Sequence, residues 1–101
     1  MKHFLLFYDY VPDYLERRTP YRKDHFAAAA AAVARGELFL AGACTDEGAP
    51  MGVLVFQVAD RAVVENFAKN DPYTLNGVTT GWRIREWTTV LGKDALTKVT
   101  P

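Results

Sequence analysis

The order in which hydrophobic periods change along this chain leaves few folds open. "HFLLFYDY" gathers aromatic and aliphatic residues into one short run, the profile of a well-buried strand. A helical stretch follows within residues 11–35; its core, "HFAAAAAAVARG", is rich in strong helix formers and stops at Gly36. "ELFLAGAC" and "VLVFQVA" then read as two strands joined by the turn-forming "TDEGAPMG". "RAVVENFAKN" is a second amphipathic helix, capped by Asp60, with Val63, Val64, Phe67 and Ala68 on one face. A last strand covers residues 80–91, and the tail "GKDALTKVTP" carries only weak signals. The order β-α-β-β-α-β predicts an α+β ferredoxin-like plait, a four-stranded antiparallel sheet with both helices on one face.

Such a plait leaves its other sheet face uncovered. In the last strand, Trp82, Ile84, Glu86, Thr88 and Val90 alternate with Arg83, Arg85, Trp87, Thr89 and Leu91, so both faces mix apolar with polar. A face meeting only water should alternate more cleanly. A homodimer through the open sheet face is therefore expected. The 101 residues fit a single domain, 1–101, with 93–101 as an irregular tail, and a core of this size gains from dimerisation.

Pro20 divides the first helical stretch. The expected arrangement is a short turn over residues 13–18, then Thr19 as the cap of a main helix with Pro20 in its first position. Phe26, Ala29, Ala30 and Val33 form the expected packing stripe, and the small alanines let this helix lie close to the sheet.

Charge and cysteine content narrow the function classes. Twelve basic residues balance twelve acidic ones, with no basic stripe of the kind a nucleic-acid binder presents. No apolar run approaches the roughly 20 residues needed to span a bilayer. "MKHFLLFYDY" carries Asp9 and no small-residue cleavage site, so it reads as a strand and not as a signal peptide. The expectation is a cytoplasmic protein without nucleic-acid or membrane partners. Cys44 is the sole cysteine, which excludes an internal disulfide and a cysteine metal cage; it reads as a small buried apolar residue. No glycine-rich phosphate loop and no metal-ligand cluster is visible, so no cofactor is expected.

The loop "KNDPYTLNG" is more elaborate than a helix-to-strand connection requires. Asn70 and Asp71 can end a helix and Pro72 can prevent its continuation. The same loop can also bring the Asp71 carboxylate to the flank of the first helix, where Arg18, Tyr21, Arg22 and His25 follow one another at helical spacing. His25 is then either a surface histidine, a ring satisfying a buried carbonyl, or the partner of Asp71. His3 reads as a strand-end surface residue.

"RRTPYRKDHF", the long segment "GELFLAGACTDEGAPMGVLVFQVADRAVVENFAKNDPYTLNGV" and "WRIREWTTVLG" together resemble the YciI-like (YCII-related) proteins. The likeness rests on the arginines before His25, on Ala41-Gly42 closing the second strand, on a glycine before the third, and above all on Asp71-Pro72-Tyr73. The resemblance implies a dimeric α/β-barrel built from two plaits and a candidate His–Asp active site at His25 and Asp71. Its wider superfamily includes isomerases, lyases such as dehydrochlorinases, and monooxygenases.

A His–Asp pair without a nucleophilic serine or cysteine suits proton transfer. Arg18 and Arg22 could hold an anionic group of the substrate, and Tyr73 could line the apolar part of the pocket. The expected function is a cofactor-free isomerase or lyase, of dehydrochlorinase type, acting on a small organic acid. The alternative is a non-catalytic dimeric module that binds a small ligand or serves a larger enzyme.

Overall fold

The aromatic-rich first strand takes an interior position in the sheet. In the computed structural model, which describes residues 1–99, strand β1 (Lys2–Tyr10) lies between β3 (Met51–Val58) and β4 (Thr79–Trp87). Strand β2 (Leu38–Cys44) flanks β3, so the sheet order is β2-β3-β1-β4 with every neighbouring pair antiparallel. Helices α2 (Arg22–Ala34) and α3 (Arg61–Asn70) complete the expected plait, joined by two single turns, α1 (Tyr14–Arg17) and α4 (Pro72–Leu75).

The core follows the pleat. Phe4, Leu6, Tyr8 and Tyr10 of β1 face the helices, as do Leu54, Phe56 and Val58 of β3, and all are buried. From α3, Val64 and Ala68 are buried and Val63 and Phe67 pack at the edge, which is the stripe its periodicity predicts. Asp60 caps α3 as expected, its carboxylate accepting from the Ala62 amide at 2.9 Å. Gly36 ends α2 with φ of 76°, and the Glu37 amide returns to the Ala32 carbonyl.

Helix α2 departs from expectation in two ways. Thr19 does not cap it: residues Thr19–Tyr21 form a separate 3-10 turn, and the Thr19 hydroxyl donates to the Leu15 carbonyl behind it. Pro20 is the second residue of that turn and does not open α2. The packing stripe is rotated as well. Phe26 and Val33 are more than half exposed and Ala30 is exposed, while His25 and Ala32 are buried and Ala28 and Ala29 half-buried. Aliphatic bulk suggested the wrong face: the side of α2 turned to the core carries small alanines and the His25 imidazole, while Phe26 borders a cavity at its edge.

The second correction concerns His3 and the chain end. His3 is buried, not a surface residue: Nδ1 lies 2.9 Å from the Thr89 hydroxyl and Nε2 2.9 Å from the Gln57 side-chain oxygen. β4 ends at Trp87 because His3–Trp87 is its last register pair with β1. Residues 88–99 form no helix or strand, yet they fold back. The Thr89 hydroxyl accepts from the Leu96 amide, its carbonyl from the Thr97 amide, and the Val90 carbonyl from the Val99 amide.

Cys44 is exposed at the end of β2 and not buried. The sheet face opposite the helices carries Leu5, Phe7, Val53 and Val55, each half-buried, beside the exposed Leu40 and Trp87. No helix among the described residues is long and apolar enough to cross a membrane.

Candidate active site

Asp71 stands where α3 stops and α4 begins. Its backbone is extended, with φ of −62° and ψ of 129°, so the chain turns sharply and its side chain caps α4 through the Tyr73 amide at 2.9 Å. Pro72 occupies the first position of α4, where its missing N–H is no loss. Gly77, with φ of 70°, releases the chain into β4. The loop is thus a capped helical turn, and the geometry of that turn aims the carboxylate inward.

The same carboxylate meets the first helix. His25 Nδ1 lies 2.8 Å from Asp71 Oδ1 and 2.9 Å from Oδ2, and the Tyr8 hydroxyl donates to Oδ2 at 2.8 Å. The Asp71 side chain is fully enclosed. A buried carboxylate is costly unless hydrogen-bonded, and the imidazole, the phenol and the Tyr73 amide supply that compensation. An ionised carboxylate only accepts hydrogen bonds, so His25 Nδ1 carries a proton and Nε2 is the nitrogen left for other chemistry. Burial, then the Asp71 charge and the hydrogen bond to it, push the Tyr8 phenol far above its ordinary value. Tyr8 therefore remains a donor to Asp71 across the physiological range. Asp71 ends α3 through its backbone, as the sequence suggested, and its side chain both caps α4, a turn the sequence did not reveal, and meets His25.

Tyr73 lies flat against the His25 ring, with centroids 3.8 Å apart and planes 8° from parallel. Its phenol is pushed up by burial and by Tyr14, with Arg18 and Arg22 opposing. His25 and Tyr73 border a cavity of about 290 Å³ between α2 and the β2–β3 edge, which Arg18 and Arg22 also line. Arg18 donates to the Tyr14 hydroxyl at 3.0 Å, and the Arg22 guanidinium lies 4.7 Å from the centre of the Phe26 ring. Among the described residues neither arginine forms an ion pair, including with Glu16 and Asp24. The structure thus brings together all five residues singled out in the sequence: His25, Asp71, Arg18, Arg22 and Tyr73. It leaves Tyr21, which packs against the core, outside the cavity.

Sequence reasoning missed Tyr8, Tyr10 and Tyr14. Tyr8 and Tyr10 stand two apart on β1 and so share its helix-facing side; that spacing in "YDY" was the available signal. Cys44 does not line this cavity. No three His, Cys, Asp or Glu side chains converge into a metal-binding group among the described residues.

The family model described as the YCII-related domain matches residues 1–88. The chain belongs to the YCII-related family. The matched span of this YCII-related chain contains every residue of the site and ends where β4 gives way to the tail. Among solved structures it is similar to 5-chloro-2-hydroxyhydroquinone dehydrochlorinase from Burkholderia phenoliruptrix AC1100, solved with 2,5-dihydroxybenzoquinone. The TM-score is 0.74 at 20% identity, covering 86% of this chain and 94% of that one. At that identity the likeness concerns the fold. No curated protein matches the YCII-related chain.

Proposed function

We propose that this protein is a cofactor-free enzyme that transfers a proton on a small organic acid, as an isomerase or a lyase. The observation that carries the reading is the His25–Asp71 contact: a buried carboxylate holds Nδ1, and the ring borders a cavity. Nε2 of His25 acts as the base that removes a proton from carbon and as the acid that returns it. Asp71 fixes the tautomer and stabilises the imidazolium that forms. Arg18 and Arg22, free of carboxylate partners among the described residues, hold the anionic group of the substrate. Tyr73 forms an apolar wall against the imidazole. The similar dehydrochlorinase is named for the loss of hydrogen chloride from a ring compound, and a base beside an arginine-lined pocket suits a reaction in which a proton is lost.

Incubation in deuterated buffer with a panel of small unsaturated and cyclic acids tests the proposal. Wild-type protein should exchange carbon-bound hydrogen in at least one of them, and His25→Gln should abolish the exchange. Binding without exchange across the panel would favour the non-catalytic ligand-binding module instead.

The active form is a homodimer through the open sheet face. Leu5, Phe7, Val53 and Val55 form its half-buried centre, with Leu40 and Trp87 exposed around them, a surface more apolar than a solvated sheet face carries. Sedimentation should report about twice 11.3 kDa. A monomer at micromolar concentration would refute the assembly. A cytoplasmic setting fits the free, exposed thiol of Cys44.

A further inference from the structure

Of the tyrosines around the site, two have settled hydroxyls: Tyr8 donates to Asp71, and the Tyr14 oxygen accepts from Arg18. Tyr10 differs. Its ring lies face to face with Tyr14 at 4.0 Å, and it lines the cavity with His25. Its hydroxyl, like that of Tyr73, has no hydrogen-bond partner among the described residues, although the residue is only 9% exposed. The ring is held there by a gap in β3. Gly52 sits opposite Tyr8 in the sheet, and a Cβ at that position would collide with the Tyr10 phenol oxygen and ring. Glycine inside a strand weakens the strand, so a glycine there calls for a close neighbour to explain it. Here the neighbour is an unpartnered phenol at the wall of a cavity.

We infer that Tyr10 is the oxyanion donor of this site, its hydroxyl hydrogen-bonding the oxygen that becomes negative when His25 removes a proton from the adjacent carbon. The inference rests on the proton-transfer reading. The step balances within the site: the C–H bond breaks, its proton goes to Nε2 of His25, and its electron pair moves onto the carbonyl oxygen as an enolate. The phenol donates a hydrogen bond to that oxygen and keeps its own proton. Burial chiefly, with Tyr14 and Tyr73 adding, pushes the Tyr10 phenol above its ordinary value, so it stays a donor and does not compete with His25 as a base. A donor already in place where charge develops is the arrangement that stabilises such an intermediate. The substrate class this implies is a compound with an acidic C–H beside a carbonyl and a separate anionic group for Arg18 or Arg22.

The test uses 4-nitrophenolate, a stable oxyanion whose visible band moves to shorter wavelength when its oxygen accepts a hydrogen bond. At mildly alkaline pH, the wild-type protein should bind it with that shift. Tyr10→Phe, which retains the ring and its stacking, should weaken binding about tenfold or more and remove the shift. Gly52→Ala should do the same with the hydroxyl still present, because the ring must move. His25→Gln should keep the shift while losing proton exchange, which separates this inference from the base assignment. Absence of a shift in wild type, or its persistence in Tyr10→Phe, overturns the inference. Its loss in Tyr73→Phe alone overturns it as well.

Discussion

His25 and His3 are both buried, and both rings lie close to an aromatic neighbour, yet they sit in opposite chemical situations. His3 has neutral partners on both nitrogens, the Thr89 hydroxyl and the Gln57 amide oxygen. His25 has a carboxylate on one nitrogen and none of the described residues on the other. His3 ties β1 to β3 and to the returning tail, and its bonding capacity is consumed by that tie. His25 is held just as firmly but through one edge only. Burial is common to both histidines; a single carboxylate partner beside a cavity sets His25 apart as the proposed base.

The sharpest way to break this comparison is to remove each imidazole. His25→Gln should lower any proton-exchange rate by at least about a hundredfold. His3→Gln should leave that rate within a few fold. Comparable losses in both variants, read from deuterium incorporation, would mean that the distinction drawn from their partners is wrong.

Removing the partners should separate the two regions in stability. Asp71→Ala strands the Tyr8 hydroxyl, the His25 ring and the Tyr73 amide in a closed space, and should cost about 3–5 kcal/mol in urea melts. Gln57→Ala removes one neutral acceptor from His3 and should cost about 1 kcal/mol.

The pH dependence should be one-sided around Asp71. The folded protein holds the Tyr8 proton more tightly than the unfolded chain does. The stability this contributes is therefore full below about pH 10 and is lost as pH rises past it, by about 1.4 kcal/mol per unit for one phenol. Tyr8→Phe should fall less steeply when melts near neutrality are compared with melts above that point. No tyrosine lines the pocket beside His3, so Thr89→Val should leave the alkaline slope unchanged.

The smallest expected effect is local. Thr89→Val removes the hydroxyl that His3 and the Leu96 amide share, and should speed hydrogen exchange at Leu96 and Thr97 by a few fold. Exchange at Tyr73, whose amide caps onto Asp71, should stay as it is.

Periodicity and punctuation were enough to determine the plait, while the family came from the resemblance carried by Asp71-Pro72-Tyr73 and the segments around it. The strand and helix order, the Asp60 cap, the Gly36 stop and the α3 stripe are all local consequences of side-chain spacing and backbone freedom. The polar residues His25, Asp71, Arg18, Arg22 and Tyr73 were also legible, since each stood out against the pattern around it. What only the tertiary structure decided is which face of a uniformly small helix turns inward and which tyrosines meet. In α2 a run of alanines carries almost no directional signal, so packing against the core decided for the face of His25 and Ala32 over that of Phe26 and Val33. Tyr8 and Tyr10 read as ordinary strand residues because their hydroxyls acquire meaning only from Asp71, 63 positions away in sequence, and from Gly52 on the neighbouring strand. A hydrogen bond or a steric gap between distant segments leaves no period in either one, and the fold alone brings its halves together.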